Sequence, residues 1–173
     1  MRHNIFRPLA ALALAAGVTA FGAAATFAAS GASTLYPQVV ASAVVSPMHP
    51  TIVHFETATV TIQPGTFSGP VRFEVLQGPL SGFMVPTGQQ AIFDFAFRVT
   101  TLSGAPVPLP FTKPVVFTLR DPMIQATSQY DNVNLATGAI TPNPKGLMIV
   151  GKTLSHPIAT DAVGWVITSP AMP

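Results

Sequence analysis

The sequence predicts an all-β fold, a sandwich of about seven to nine short strands, preceded by an N-terminal signal segment. Two segments, 67–75 and 111–119, share the template Phe-x-x-Pro-Val-x-Phe-x-aliphatic. After the Pro, apolar residues fall at alternate positions, which is typical of a strand with one buried face. All but one of the 18 Pro residues follow the leader, and Pro/Gly turns separate short apolar runs there. No amphipathic helix pattern occurs in that region.

The first 32 residues are expected to form a signal peptide. Arg2 and Arg7 flank the start of an Ala-rich apolar run, and small residues up to Ala32 provide acceptable cleavage sites. The alternative is an uncleaved membrane anchor, because the run is about long enough to span a bilayer. The chain has no Cys, which excludes a bacterial lipid anchor and any disulfide. We therefore expect a bacterial protein that is secreted or associated with the cell wall.

The chain that follows the leader is poor in charge. From position 33 onward, six Lys or Arg residues balance six Asp or Glu residues, so the basic pI of about 9.4 belongs to the precursor. Charged residues make up 8% of the sequence, whereas about a quarter is typical. Nucleic acid is not an expected partner of such a neutral chain. The low charge suits a packed layer or a partner interface, and it equally suits an acidic exterior.

About 140 residues remain after cleavage, which is enough for one domain with its own core. Residues 33–50 form a lead-in with three Pro residues, either a first strand or an extended arm. The β-sandwich domain is expected to span residues 51–173. Within 52–62 the apolar residues change parity between Phe55 and Ala58, which predicts a bulge or bend at Glu56-Thr57.

The middle of the chain carries the clearest strand signals. Gln63-Pro64-Gly65 has the Pro-Gly order of a type II turn. Segment 91–100 alternates Phe residues with Asp94, Ala96 and Arg98, so we expect a strand with Phe95 buried at its centre. Weaker strands are predicted at 129–135, 147–150, 154–158 and 163–167.

The sequence of residues 59–71 is Thr-Val-Thr-Ile-Gln-Pro-Gly-Thr-Phe-Ser-Gly-Pro-Val. Its alternating apolar residues, Pro-Gly turn and Pro-led strand resemble the opening of ZU5-like modules. Segments 93–99 and 104–115 resemble later strands of secreted bacterial Ig-like domains. The resemblance covers roughly residues 58–119. Gln63 departs from the pattern, and the C-terminal third matches none. The resemblance implies an Ig-like β-sandwich that acts as an interaction or wall-associated module, without an active site.

Signals for catalysis are absent from the sequence. It contains no Gly-x-Ser-x-Gly elbow and no Cys nucleophile. Glu74 and Asp94 fall at the outward parity of strands, which predicts a solvated face, and Asp121, Asp131 and Asp161 lie beside turn residues. We therefore expect no enzymatic activity and no cofactor. With exposed acids, stability should be nearly flat from neutral pH to about pH 4.

His and Met side chains leave metal binding open as an alternative. In an exported protein they could hold copper, and the candidate ligands are Met48, His49, His54, Glu56 and His156. Their spacing matches no closed ligand motif. The structural interpretation places His49 and His54 as polar residues near the first loop or bend, and His156 as a partly buried ring.

Three residues are candidates for direct contact with a partner: Phe83 and Met84 in the Gly/Pro-rich loop, and Trp165 near the C-terminus. Loops displayed on a rigid sandwich commonly bind partners, although these residues could equally pack as core. We expect a non-catalytic, secreted or cell-surface structural or binding module of the adhesion type. Its partner would be a cell-envelope component, another protein or a second copy. The alternative function is a small exported copper-binding protein.

Overall fold

Eleven strands form two antiparallel sheets in the computed structural model, which describes residues 34–171. Sheet A contains, in spatial order, β1 (Gln38–Val45), β4 (Val71–Gln77), β5 (Gln89–Thr101), β11 (Gly164–Pro170), β7 (Gln129–Val133) and β8 (Ile140–Pro142). Sheet B contains β2 (Thr51–Phe55), β3 (Ala58–Ile62), β6 (Val115–Arg120), β10 (Thr153–Ile158) and β9 (Met148–Val150).

The predicted all-β sandwich is confirmed, but the expected number of strands was too low. Strand β8 has three residues, too few for a readable alternation, whereas the equally short β9 lies within the predicted segment 147–150. The segment 52–62 contains two strands, β2 and β3. A short 3-10 turn at Leu80–Gly82 interrupts the loop before β5. Within residues 34–171, no helix is long and apolar enough to cross a membrane. The expected signal peptide, residues 1–32, lies outside the described residues.

The two template segments form equivalent strands in opposite sheets. In β4 and in β6 every second residue is buried, including Phe73 and Phe117, as the alternation predicts. The Phe that precedes each strand folds back onto the core: the ring centroids of Phe67 and Phe111 lie 5.1 Å apart, edge to face. This repeated unit therefore closes one end of the sandwich.

The main core lies between the sheets and is centred on Phe95. This residue is fully buried, as predicted. Its ring stacks on Phe117 of sheet B at a centroid distance of 4.1 Å and on Trp165 of the neighbouring strand β11 at 5.0 Å. Aromatic contacts of this kind add about 0.5–1.5 kcal/mol beyond the burial of apolar area. The stack therefore joins the two sheets at their centres.

Strands β2 and β3 form a hairpin where the sequence predicted a bulge or bend. Phe55 pairs directly with Ala58, and Glu56-Thr57 make a two-residue turn. Glu56 adopts a φ of 47°, a left-handed conformation that costs about 1–2 kcal/mol outside Gly. The position of the break was predicted correctly, but the chain reverses completely there. The two parities therefore belong to two strands.

Residues 38–45 form a strand of the sandwich. The sequence left open whether this segment is a strand or an extended arm. It is a strand, because β1 pairs with β4 along its whole length. The sandwich therefore begins at Gln38, and the boundary drawn at residue 51 leaves out its first strand.

A second, smaller core covers the centre of the outer face of sheet A. We call it the cover of sheet A, and it includes Tyr36 and Phe83. Tyr36 lies there over Gly164, where an added Cβ would collide with the tyrosine ring. The Tyr36 hydroxyl donates a hydrogen bond to the Trp165 carbonyl at 3.2 Å. Phe83 contacts the same ring at a centroid distance of 5.6 Å. Outward-facing positions beneath this cover are therefore buried, which the strand pattern alone did not indicate.

Candidate functional site

The five suggested copper ligands do not come together. Met48, His49, His54 and Glu56 are exposed near the β1–β2 connection and the β2–β3 turn, whereas His156 is buried at 4% exposure. Because β2 ends at Phe55, His54 and Glu56 do not lie on one strand face. Residues 34–171 contain no group of three or more His, Asp or Glu side chains that could hold a metal ion.

Two of the three suggested contact residues belong to the cores. Trp165 is 1% exposed in the main core, and Phe83 is 8% exposed in the cover of sheet A. Their large aromatic side chains pack in the interior instead of presenting a binding surface. Met84, at 93% exposure, remains accessible to a partner.

The structure offers a larger candidate surface, the outer face of sheet B. Strand register brings its side chains into three rows across the sheet. We call this surface the sheet B face. The first row contains Ile52, Thr61, Val116 and Pro157. The second row contains His54, Thr59, Thr118, Ser155 and Met148, and the third contains Arg120, Thr153 and Val150.

The sheet B face is apolar and rich in hydroxyl groups. Met148 is 63% exposed and Val150 is 73% exposed at one side, and Ile52 is exposed at the other. In the centre, the hydroxyl oxygens of Thr118 and Ser155 lie 3.2 Å apart in a hydrogen bond. Arg120 carries the sole full charge among the residues of the three rows. Such a face can pack against another neutral surface.

A buried carboxyl group lies outside this face, on the opposite sheet. Asp94 is 3% exposed, and its Oδ2 accepts a hydrogen bond from the Gly78 N–H at 2.7 Å. It lines a cavity of about 190 Å³ together with Glu56, Gln77 and Gln38. Burial raises the pKa of Asp94 to about 6; the Gly78 hydrogen bond lowers it, and nearby Glu56 raises it further. The expectation of a solvated Asp94 is therefore wrong, because the cover of sheet A reaches this position.

Other acids also depart from the expected exposed state. Asp131 is 1% exposed, and its Oδ2 accepts a hydrogen bond from the Thr168 hydroxyl at 3.2 Å. Burial raises the pKa of Asp131 and also that of Asp161. The Asp161 side chain accepts a hydrogen bond from the Val99 N–H. The nearly flat pH dependence of stability was expected because the acids were thought to be exposed. Since these acids are buried and their pKa values are raised, that expectation loses its basis.

Two acids behave more nearly as the sequence indicated. Asp121 makes the predicted turn contact, because its Oδ1 accepts a hydrogen bond from the Met123 N–H at 2.7 Å. Glu74 lies at the outward parity of β4, but it is only partly solvated because it pairs with Arg98 at 2.6 Å. The two residues are directly opposite each other in the pairing of β4 with β5, so the strand register brings the two charges together.

Comparison with known proteins gives no family assignment. No protein-family model matches the sequence, and no curated protein sequence matches it significantly. The resemblance to ZU5-like and Ig-like modules therefore stays a prediction. The functional argument depends on the surfaces of the fold.

Proposed function

We propose that this protein is a non-catalytic, exported structural or binding module that associates through the sheet B face. The observation that carries the proposal is the composition of that face: five adjacent strands present mostly Thr, Ser and apolar side chains, with His54 and one full charge, Arg120. The largest apolar patch of a typical monomeric protein measures about 300–600 Å² and often has a function. Export is supported by the sequence of residues 1–32.

The Ig-like character belongs to the same proposal. It is supported by the template strands and the Pro-Gly turn of residues 58–119, and by the packing of two antiparallel sheets around one core. Gly65 has a φ of 77°, and the Thr66 N–H donates to the Gln63 carbonyl at 3.2 Å, as a type II turn requires. In modules of this type, surfaces of the rigid sandwich bind while the core only supports them.

A second copy of the chain is the partner that the face fits best. The surface is almost uncharged, so two copies meet without strong repulsion between like charges. A two-fold axis would place the same rows opposite each other, as in most homodimers. A cell-envelope component or another protein with a neutral surface would use the same contacts.

The size of the face predicts weak association. Five strands about 4.8 Å apart and about five residues long at 3.4 Å per residue span roughly 24 by 17 Å, or about 400 Å². Stable complexes bury about 800 Å² per partner. One face is therefore too small for a tight soluble dimer. The dimer is therefore expected to form only at high protein concentration.

Sedimentation velocity over a rising concentration series tests the proposal. Wild-type protein is expected to show a concentration-dependent increase in its sedimentation coefficient. Thr118→Lys places a charge at the centre of the sheet B face and should suppress that increase. Ser42→Lys adds the same charge on exposed β1 of sheet A and serves as the matched control.

Three outcomes are distinguishable. Suppression by Thr118→Lys but not by Ser42→Lys supports the proposal. A monomeric wild type that co-sediments with isolated cell walls, and loses this property in Thr118→Lys, would keep the face but replace the second copy by an envelope component. Equal behaviour of all three proteins in both assays would contradict the proposal.

A further inference from the structure

A surface cavity of about 190 Å³ lies where the chain leaves β4, beside the turn between β2 and β3. Its lining combines a polar group of residues and an apolar group. The polar residues are Gln38, Glu56, Gln77 and Asp94, and the apolar residues are Leu80, Ile92 and Phe93. None of them belongs to the sheet B face, so the proposed association does not use this cavity.

Asp94 brings a buried carboxyl group to the cavity with one oxygen unpaired. The residue is 3% exposed, and its Oδ2 accepts the hydrogen bond from the Gly78 N–H at 2.7 Å. No described residue donates a hydrogen bond to Oδ1. This oxygen is also not one of the sealed polar atoms without a partner, so it retains accessible surface. A ligand in the cavity can therefore reach Oδ1.

A second carboxyl group and an amide line the same space. Glu56 lies in the β2–β3 turn, and its Oε2 accepts a hydrogen bond from the Gln77 Nε2 at 3.4 Å, which leaves the Gln77 amide oxygen as a further acceptor. The two carboxyl groups are close enough to repel each other, because Glu56 adds to the effect of burial on the pKa of Asp94. No lining residue carries a positive charge. The cavity therefore concentrates negative charge without a cation to balance it.

The lining favours an organic cation over a metal ion. Ca²⁺ takes about six to eight oxygen ligands, and residues 34–171 hold no group of three or more His, Asp or Glu side chains fit for a metal. A primary ammonium group has three N–H donors, which match Oδ1 of Asp94, the Glu56 carboxylate and the Gln77 amide oxygen. Leu80 and Ile92 offer apolar wall to an alkyl group. Since a cavity of about 150 Å³ accommodates benzene, this one has room for a short alkyl chain.

We infer that this cavity binds a small primary alkylammonium ion, with its ammonium group between Asp94 and Glu56 and its alkyl group against Leu80 and Ile92. The three N–H donors then pair with acceptors that the fold leaves open. The positive charge relieves the repulsion between the two carboxyl groups. Charge-assisted hydrogen bonds of this kind are about twice as strong as neutral ones.

Binding of the cation is linked to the ionisation of Asp94. Because the ammonium ion favours the ionised carboxyl group, its affinity is complete well above the pKa of about 6 and is lost as the pH falls through it. The other titratable groups near this carboxyl are Glu56 and Tyr36. Burial and the nearby Asp94 raise the pKa of Tyr36, so its hydroxyl stays neutral throughout this range.

Titration of the whole protein with n-butylammonium, followed by the NMR signal of the Gly78 N–H, tests the inference. This amide reports on the site because it donates to Asp94. The wild type should bind at pH 7.5, and its Kd should be about tenfold higher at pH 5, where a carboxyl group with a pKa of about 6 is about one-tenth ionised. n-Butanol lacks the charge and should not bind. Tetramethylammonium lacks N–H donors and should bind more weakly.

Substitutions test the two carboxyl groups separately. Asp94→Asn keeps the shape of the side chain and an acceptor for Gly78, and it should raise the Kd at pH 7.5 about ten- to hundredfold and flatten its pH dependence. Glu56→Gln should also raise the Kd. Glu74→Gln is the matched control, because it removes a carboxylate of sheet A outside the cavity and should leave the Kd unchanged.

Three results would overturn the inference. The first is no binding of n-butylammonium to the wild type, or the same Kd in wild type and Asp94→Asn. The second is equal affinity for n-butylammonium and tetramethylammonium, because the acceptors would then play no part. The third is a shift of the Gly78 signal by Ca²⁺ but not by n-butylammonium, which would make a metal ion the occupant.

Discussion

Replacing Asp94 with Asn should stabilise the protein at neutral pH. Burial raises the pKa of Asp94 to about 6 from the usual 3.8, the Gly78 hydrogen bond opposes this, and Glu56 adds to it. The folded state therefore holds this proton more tightly than the unfolded state. Its contribution to stability is complete below about pH 3.8 and is lost as the pH rises through about 6.

The magnitude follows from the size of the shift. One pKa unit corresponds to about 1.4 kcal/mol, so ionisation of the buried group costs about 3 kcal/mol at pH 7.5. The amide that replaces this carboxyl group would be neutral at every pH, and its oxygen could still accept the hydrogen bond from Gly78. We expect Asp94→Asn to raise the free energy of unfolding by about 2–3 kcal/mol at pH 7.5, and to change it little at pH 3.5.

Other groups shape the wild-type profile, so the difference between the two proteins is the informative quantity. Burial raises the pKa values of Asp131 and Asp161, so their contributions also decline as the pH rises. Burial lowers the pKa of His156, so its contribution is present above about pH 6.5 and is lost as the pH falls. Glu56 and Tyr36 face position 94 in both proteins. Subtraction removes the contributions of Asp131, Asp161 and His156, whereas the repulsion between Glu56 and ionised Asp94 exists only in the wild type and is part of the measured difference.

Urea denaturation of wild type and Asp94→Asn at intervals from pH 3.5 to 7.5 measures the effect. Glu74→Gln is the control, because it removes a carboxylate on the same sheet that is paired with Arg98. It should weaken the fold slightly and should not produce the gain in stability at pH 7.5 that Asp94→Asn gives. Parallel profiles for wild type and Asp94→Asn, or a less stable Asp94→Asn at pH 7.5, would refute the reasoning.

Three further predictions concern the core, the cover of sheet A and metal. Phe95→Ala should cost about 3–5 kcal/mol in chemical denaturation, because the ring is fully buried and stacks on both sheets; a loss below about 1 kcal/mol would contradict the assigned core. Gly164→Ala should displace the Tyr36 ring and lower the Tm, and an unchanged Tm would show that this contact is dispensable. Added copper or zinc should not raise the Tm; a rise in wild type that His54→Ala lacks would favour the metal-binding alternative.

Local alternation was enough to predict the strands that build the main core. Phe73, Phe95 and Phe117 each lie in a segment whose period of two is visible within a few residues. Burial of these faces depends only on the presence of an opposing sheet. The period therefore indicated both the strands and their inward side.

The state of Asp94 could not be predicted in this way. Its outward parity is correct, but Tyr36 and Phe83 arrive from distant parts of the chain and cover that face. The only local signs are Gly164 and Gly78, and their meaning depends on which residue packs over them. A cover formed by tertiary contacts leaves no period in the strand beneath it.

The candidate surface was foreseen only as a property of composition. The low charge indicated a neutral exterior somewhere, but the rows of the sheet B face depend on strand register. Thr59 and Thr118 become neighbours because β3 pairs with β6, which lies far along the chain. Pairing between distant strands is set by the whole core and not by the segments themselves.

The most direct test of association through the sheet B face compares the oxidation of two methionines within the same protein. Met148 lies on this face at 63% exposure, and Met84 lies in the loop before β5 at 93% exposure. Brief treatment with peroxide at one fixed concentration, in excess over total methionine, is read by mass spectrometry at low and at high protein concentration and reports the protection of each side chain. We expect Met148 to be oxidised more slowly at high concentration while the rate at Met84 stays constant. Unchanged rates at both residues, or protection of Met84 alone, would contradict the assignment of the sheet B face as the association surface.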